Sequence, residues 1–180
     1  MRESTEQTIA ALHERFNDIR FEPKPLADRG GAPGAEQIYV TAPADRLVEV
    51  MRFLRRDGRC AYEQLCDLTC VDYLNFPKPP RDRFGLIYSL LSLSRNDRFW
   101  VKCFVSEPEP TVPSVVGVWK GAEWMEREVW DMFGIRFEGH PDLRRILTWE
   151  EFVAHPLRKD YPLQGQGERE NFRVTTRDSR

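Results

Sequence analysis

The segment EREVWDMFGIRFEGHPDLRRIL, Glu126 to Leu147, sets charged side chains among aromatic ones and closes on a histidine, an aspartate and two arginines. Its first half continues a helical pattern that begins at Ala122 and runs to Phe133, and Gly134 follows as a helix stop. Such a segment is compatible with three roles: a catalytic centre, a metal site or a contact surface for another protein.

The predicted helix has an apolar face and a charged face. Its apolar face consists of Ala122, Met125, Val129, Met132 and Phe133. Glu123, Arg127 and Asp131 share the opposite face at spacings of four residues, where two ion pairs can form. Each such pair is worth about 0.3–0.5 kcal/mol if exposed.

Glu126 lies at the edge of the apolar face, where a carboxylate is unfavourable unless a cation or hydrogen-bond donors accompany it. Arg144, Arg145 and His140 follow a short loop later. We therefore expect Glu126 to pair with one of the two arginines and to fix the loop on the helix.

Catalysis and metal binding have weaker support from the residues. The acids and histidine suited to proton transfer are Glu126, Glu128, Asp131, His140 and Asp142. They are accompanied by no nucleophile elbow, glycine-rich phosphate loop or HExxH helix. Proline follows both His140 and His155, which favours a role in turns over metal ligation.

The composition is that of a soluble globular protein. The 180 residues suffice for one domain, with a formal net charge of −2 and 41% hydrophobic residues. This balance gives no indication of nucleic-acid binding. The apolar runs, such as LIYSLLSL, are too short to cross a bilayer. The N-terminal stretch MRESTEQTIAALHERF lacks the apolar core of a secretory signal.

The four cysteines, Cys60, Cys66, Cys70 and Cys103, contain no CxxC pair. We expect reduced thiols that fill small apolar positions, with no metal and no redox role.

The remaining chain predicts an α+β domain with a mainly antiparallel or mixed sheet flanked by helices, followed by an extended C-terminal segment. Ser4 and Gln7 suggest a capping box for a first helix. Pro43 suits the start of a second, which we expect to bury Leu47, Val50, Met51 and Leu54. Predicted strands are QIYVT, CDLTCVDYL, FGLIYSLLSLS and FWVKCFVSE, with a hairpin turn at SRNDR. EPEPTVPSV is too rich in proline to continue that sheet.

Beyond residue 147 we expect a short helix over Trp149 to Ala154, capped by Thr148, and an extended HPLRKDYPL. The domain boundaries predicted are 1–35 for the first helix and a Pro/Gly-rich link, 36–163 for the α+β domain, and 164–180 for a polar tail anchored only by Phe172 and Val174.

Aromatic residues favour the third role for the opening segment. Trp119, Trp124, Trp130 and Trp149 lie close together in the sequence with arginines among them, and Trp and Arg often dominate binding interfaces. We expect a permanent contact surface here.

The same segment resembles the signature of the 30-kilodalton subunit family of respiratory complex I, which includes the C subunit of the bacterial proton-pumping NADH:quinone oxidoreductase. The resemblance extends from about Gln37 to Leu163 and includes DLTCVDYL, FGLIYSLLSL, VPSVVGVWKGAEW and HPLRKDYPL in the same order. The signature and structural positions that it implies are Glu126, Arg127, Glu128, Asp131, Phe133, Gly134, His140, Pro141, Asp142, Arg144, Ile146 and Leu147.

The resemblance implies a peripheral subunit on the cytoplasmic side of the membrane, without a membrane span and without catalytic residues of its own. Its expected partners are the D subunit, of the 49-kilodalton type, and neighbouring iron–sulfur subunits. FMN, the iron–sulfur clusters and quinone would be held by those partners, and this chain would hold no cofactor. The residues expected to contact the D subunit are Arg144, Arg145, Arg158, Lys159, Asp160 and Tyr161.

Two alternatives remain at this point. Related subunits occur in membrane-bound hydrogenases and in dehydrogenases that use other electron donors. A different class would be a free-standing metal-dependent enzyme centred on His140.

Overall fold

The computed structural model describes residues 3–25 and 37–168, which form three helices and seven strands. A single turn of 3-10 helix, Ala44–Arg46, leads into α2. The elements are α1 (Glu3–Arg15), β1 (Lys24–Pro25), β2 (Ile38–Thr41), α2 (Leu47–Arg56), β3 (Gln64–Asp72), β4 (Phe84–Ser92), β5 (Asp97–Val105), β6 (Thr111–Pro113), α3 (Ala122–Phe133) and β7 (Arg136–Glu138).

The main sheet has the strand order β1-β2-β5-β4-β3. Strands β2 and β5 run parallel, and the other neighbouring pairs are antiparallel. The predicted α+β fold with a mixed sheet is therefore confirmed. The proline-rich EPEPTVPSV stays outside this sheet, as predicted, but its β6 pairs with β7 in a separate parallel pair.

Side-chain alternation gives the main sheet one buried face. Leu86, Tyr88 and Leu90 of β4 lie opposite buried residues of β5, and all are fully shielded from solvent. This face forms one continuous core with the apolar sides of all three helices. Helix α2 contributes Leu47, Val50, Met51 and Leu54, as predicted.

The predicted capping box at Ser4 is wrong. Helix α1 already includes Glu3, so Ser4 lies within the first turn. Its carbonyl oxygen accepts hydrogen bonds from the Thr8 hydroxyl, at 3.0 Å, and from Arg95, at 2.6 Å. The side chain of Gln7 reaches Glu3 rather than Ser4.

Helix α3 has the predicted bounds, and Gly134 ends it with a φ of 75°. That left-handed conformation favours glycine. A Cβ atom at this position would also lie only 2.5 Å from Cδ2 of His155. Gly134 thus both ends the helix and leaves room for a later segment.

The chain after β7, residues 139–163, is here called the C-terminal segment, and it contains no helix or strand. The helix predicted over Trp149 to Ala154 is absent because the Thr148 hydroxyl binds Asp131 instead of capping it. The predicted extended conformation of HPLRKDYPL is also wrong: the amides of Arg158 and Tyr161 close successive turns onto the carbonyls three residues earlier. The tail anchors predicted at Phe172 and Val174 lie outside the described residues.

Across residues 3–25 and 37–168, no helix combines the length and the apolar character needed to cross a membrane.

Candidate functional site

Asp131 of α3 holds the C-terminal segment through a buried carboxylate. One of its oxygens, Oδ2, accepts hydrogen bonds from the backbone amides of Ile146, Leu147 and Thr148 at 2.8–3.0 Å. The other, Oδ1, accepts from the Thr148 hydroxyl and from the Arg145 guanidinium, at 2.6 Å from Nη1. Burial alone would raise the pKa of Asp131, but the bonds from Thr148 and the backbone lower that pKa to about 2. The carboxylate is therefore ionised at neutral pH, and both of its oxygens are engaged.

Arg127 fixes the same segment from the neighbouring turn of α3. Its guanidinium donates to the carbonyl oxygens of Arg144, at 3.1 Å, and Arg145, at 2.9 Å. The prediction of ion pairs among Glu123, Arg127 and Asp131 is therefore wrong, because Arg127 binds backbone carbonyls and Asp131 binds Arg145. Arg127 and Asp131 are buried because the C-terminal segment covers this side of the helix.

Glu126 does not pair with an arginine, so that hypothesis is wrong too. Its fully buried carboxylate accepts hydrogen bonds from the Ser114 hydroxyl, at 2.6 Å, and the Val115 amide, at 2.7 Å. Burial raises the pKa of Glu126 to about 7, although both bonds act against that rise. Glu126 thus connects α3 to the loop after β6, whereas Arg145 forms its ion pair with Asp131. Glu128, by contrast, is exposed.

His140 and His155 lie within the C-terminal segment, and each forms a hydrogen bond from its ring to a backbone carbonyl of α3. The Nδ1 atom of His140 accepts from the Asp142 amide at 3.0 Å, so its Nε2 donates to the Glu123 carbonyl at 3.0 Å. His155 donates from Nδ1 to the Asp131 carbonyl at 2.9 Å. Both ring nitrogens of His140 are occupied, so metal ligation by this residue would require one of these bonds to break.

A second buried carboxylate, Asp72 at the end of β3, anchors the distal part of the segment. Arg83 binds it in a bidentate pair at 2.7 and 2.9 Å, and the amides of Leu74 and Lys159 donate to it at 3.0 and 2.9 Å. Burial opposes ionisation, but these donors lower the pKa of Asp72 to about 2. The Arg83 guanidinium also binds Asp160, at 2.8 Å.

Sequence reasoning missed Asp72 and Arg83. A signal was present, because the alternation of β3 places Asp72 on the same face as buried Leu68 and Cys70. An acid at an inward position requires a cation and donors, and Arg83 is the first residue before the paired strand β4.

The anchored segment exposes a group of large apolar side chains, here called the apolar row: Leu147, Trp149, Val153, Leu157 and Leu163. Nine large hydrophobic residues are exposed among residues 3–25 and 37–168, and these five follow one another in the C-terminal segment. Val153 is 86% exposed and Leu147 is 63% exposed, although the backbone of Leu147 is held by Asp131. Backbone ties combined with exposed apolar side chains are typical of a protein–protein contact surface.

The residues predicted to contact a partner divide into two groups. Arg145, whose side chain is only 10% exposed, and Arg158, which is half-buried, both bind within the chain. Arg158 donates to the Phe133 carbonyl at 2.6 Å. Arg144, Lys159 and Asp160 are exposed in the same segment as the apolar row, and Tyr161 is half-buried. Contact of these residues with a partner stays a prediction.

The four tryptophans predicted to mark a contact surface also differ in exposure. Trp119 is buried, whereas Trp124 is 60% exposed and Trp149 belongs to the apolar row. Trp130 is half-buried and lies beneath the Arg145 guanidinium, whose central carbon is 5.5 Å from the ring centre. Two of the four side chains are therefore exposed.

The part of the chain that the structure describes contains no group of three or more His, Cys, Asp or Glu residues placed to hold a metal. All four cysteines are free thiols. Cys60, Cys70 and Cys103 are buried, and burial raises the pKa of Cys70 to about 12.

Comparison with known proteins places these features in a family. Residues 40–167 match the family described as the 30 Kd subunit of respiratory-chain NADH dehydrogenase. An NADH-quinone oxidoreductase C subunit of Rhizobium etli, the one numbered 2, is 44% identical over 162 residues, which cover 90% of this chain and 80% of that protein. The corresponding C subunit of Geobacter metallireducens is 40% identical over 163 residues, which cover 91% and 93% of the two chains.

Solved structures agree. A structure described as Nqo5 of a trypsin-resistant fragment has a TM-score of 0.63 and 33% identity, covering 76% of this chain and 99% of that one. A chain from the membrane-bound sulfane sulfur reductase, an archaeal respiratory membrane complex, shares the fold with a TM-score of 0.71 at 22% identity and covers 99% of each chain. On the extent of the family match and the identity of these relatives, the chain belongs to the 30-kilodalton subunit family of respiratory-chain NADH dehydrogenase.

Proposed function

We propose that this protein is a non-catalytic structural subunit in the peripheral arm of a proton-pumping NADH:quinone oxidoreductase, on the cytoplasmic side of the membrane. The names of its relatives and its family support membership of such an enzyme. In this proposal FMN, the iron–sulfur clusters and quinone are held by partner subunits. The buried charged side chains of residues 126–147 form hydrogen bonds to backbone groups and so hold the chain in place, which supports a role in assembly.

The observation that carries this proposal is the anchoring of the C-terminal segment by two buried carboxylates. Asp131 binds three consecutive amides at residues 146–148, and Asp72 binds the amide of Lys159. A segment without a helix or strand is thereby held in one conformation before it meets a partner. Pre-organisation of this kind lowers the entropic cost of association.

The apolar row suits a permanent partner. Burying one large apolar side chain stabilises an interface by about 1.5–3 kcal/mol. Arg144, Lys159 and Asp160 are exposed in the same segment and supply charged groups for the rim of such an interface. We assign this surface to the D subunit, of the 49-kilodalton type, with neighbouring iron–sulfur subunits as further contacts.

A rigid subunit at this position acts on electron transfer indirectly. Transfer between clusters depends steeply on their separation, so a scaffold that fixes neighbouring subunits preserves the rate. The expected consequence is that damage to the apolar row lowers the amount of assembled enzyme and leaves the NADH KM of the remaining enzyme unchanged.

Two single substitutions test the surface with matched chemistry. Leu147 in the apolar row is 63% exposed and Leu93 in the β4–β5 turn is 67% exposed. Each is replaced by aspartate in a tagged chain, expressed in place of the native one, and the complex is captured from solubilised membranes. We expect Leu147→Asp to reduce recovery of the D subunit severely and Leu93→Asp to leave it intact. Equal recovery with both variants would refute the assignment of this surface.

A further inference from the structure

A groove between α1 and α2 collects three arginines, and it is here called the arginine groove. Arg15 ends α1, Arg52 and Arg56 lie one turn apart on α2, and Phe16 and Phe53 form the apolar part of the lining. The cavity has a volume of about 430 Å³. The residues that line it take no part in the surface proposed above.

The three guanidinium groups lack acceptors in the part of the chain that the structure describes. Within residues 3–25 and 37–168, Arg15, Arg52 and Arg56 form no ion pair or hydrogen bond to an acceptor, and Arg15 only stacks on Phe16 at 5.3 Å. The neighbouring Arg55 differs, because it donates to the Val118 carbonyl on another side of the helix. The groove therefore offers three cations to a ligand.

The acids of the groove are engaged by arginines outside it. Glu49 binds Arg46 at 2.9 Å, and Asp57 binds the side chain and amide of Arg59 at 2.9–3.0 Å. Among residues 3–25 and 37–168, the positive charge inside the groove thus has no acidic partner. Arg15 and Arg56 lie in the last turns of their helices, where the helix dipole favours a positive charge. Arg52 lies outside the last turn of α2, so the dipole gives no reason for its charge.

The pattern fits a peptide that carries carboxylates. Arg52 and Arg56 are separated by four residues, so their side chains leave the same face of α2 about 5–6 Å apart at Cβ. Each guanidinium is suited to a bidentate bond with one carboxylate. Glu49 and Asp57 at the rim retain acceptor capacity for backbone amides, which a peptide offers and a phosphate does not.

A membrane surface fits less well. Peripheral membrane binding combines basic residues with exposed apolar anchors. None of the large hydrophobic residues exposed in the described part of the chain lies in α1 or α2. We propose that the arginine groove binds an acidic segment of a neighbouring protein, whose carboxylates contact Arg15, Arg52 and Arg56.

The test is a titration of the full chain with a fluorescein-labelled peptide that carries aspartate and glutamate around one phenylalanine, followed by anisotropy. The double variant Arg52→Gln/Arg56→Gln is compared with Arg98→Gln/Arg136→Gln, which removes the same charge from exposed positions on β5 and β7. Circular dichroism melting checks that all proteins fold alike.

We expect the groove variant to bind the peptide at least about tenfold more weakly than the original chain, with the control unchanged. An equal loss of peptide affinity in the groove variant and the control variant would show that only net charge matters, and it would overturn the proposal. The absence of peptide binding to the original chain would overturn it too. Binding to phosphatidylserine vesicles, without peptide binding, would overturn it in favour of a membrane surface.

Discussion

The carboxylate of Asp131, in the last turn of α3, lies 2.6 Å from the guanidinium of Arg145, and this buried pair joins the helix to the C-terminal segment. The side chains of the two residues are 0% and 10% exposed. The same carboxylate accepts hydrogen bonds from three backbone amides, so the pair fixes the backbone of Leu147, the first residue of the apolar row.

Replacing Asp131 by asparagine is expected to destabilise the protein by about 3–5 kcal/mol, because it leaves Arg145 buried without its counter-charge. Urea unfolding followed by tryptophan fluorescence measures the change. Asp142→Asn is the control, since its ion pair with Arg144 is 48% and 65% exposed, and it should cost at most about 1 kcal/mol. Similar losses for the two variants would contradict the anchoring role of Asp131.

Asp72→Asn is expected to loosen the distal part of the C-terminal segment. The amides of Leu74 and Lys159 lose a charged acceptor, and Arg83 loses its bidentate partner. Hydrogen exchange should accelerate at these two amides while the core of β4 stays protected. Asp67→Asn, at an exposed position of the same strand, serves as the control. Unchanged exchange at Lys159 would show that Asp72 does not hold the segment.

Glu126 makes stability depend on pH in the direction opposite to a salt-bridged acid. Burial raises its folded-state pKa from 4.5 to about 7, so the folded state binds the proton more tightly than the unfolded state. The protonated form predominates up to about pH 7 in the folded state but only up to pH 4.5 in the unfolded state. This contribution to stability is therefore complete below pH 4.5 and is lost as the pH rises through 7.

Glutamine at position 126 keeps the shape of the side chain and stays neutral at every pH. The free energy of unfolding of Glu126→Gln should therefore rise, relative to that of the original chain, by of the order of 3 kcal/mol between about pH 5 and about pH 8. Unfolding free energies measured at both pH values give this difference. If the difference in unfolding free energy between the two proteins were the same at both pH values, it would contradict a raised pKa of Glu126.

Gly134→Ala is expected to destabilise the protein by about 1–3 kcal/mol, because alanine is strained at a φ of 75° and its Cβ would meet His155 and Arg158. Thermal unfolding measures the loss. Gly121→Ala is the matched control at the other end of α3, where a Cβ meets no atom within 4 Å. A harmless Gly134→Ala would mean that the C-terminal segment does not pack closely there.

The elements with a local signal were predictable from the sequence. Helical periodicity indicated the bounds of α3 and its stop at Gly134, and the predicted apolar positions of α2 are all buried. The partners of charged residues were not predictable in this way. A helical wheel identifies the face that Arg127 and Asp131 share, but not which distant segment covers that face. The arginine expected beside Glu126 therefore belongs to Asp131.

The C-terminal segment was mispredicted for the same reason. Thr148 has the local sequence of a helix cap, yet its hydroxyl binds a carboxylate 17 residues earlier in the chain. Asp72 was predictable in principle, because an acid at an inward strand position requires a buried cation. Its connection to Lys159, 87 residues later, depends on the tertiary fold.

Membership of an NADH:quinone oxidoreductase is tested by capturing the tagged, otherwise unchanged chain from solubilised native membranes. The captured partners are identified by mass spectrometry, and NADH:quinone oxidoreductase activity is assayed in the eluate. We expect recovery of the D-type subunit together with that activity. Recovery of the chain alone, or of a complex with hydrogenase activity and no NADH:quinone activity, would contradict it.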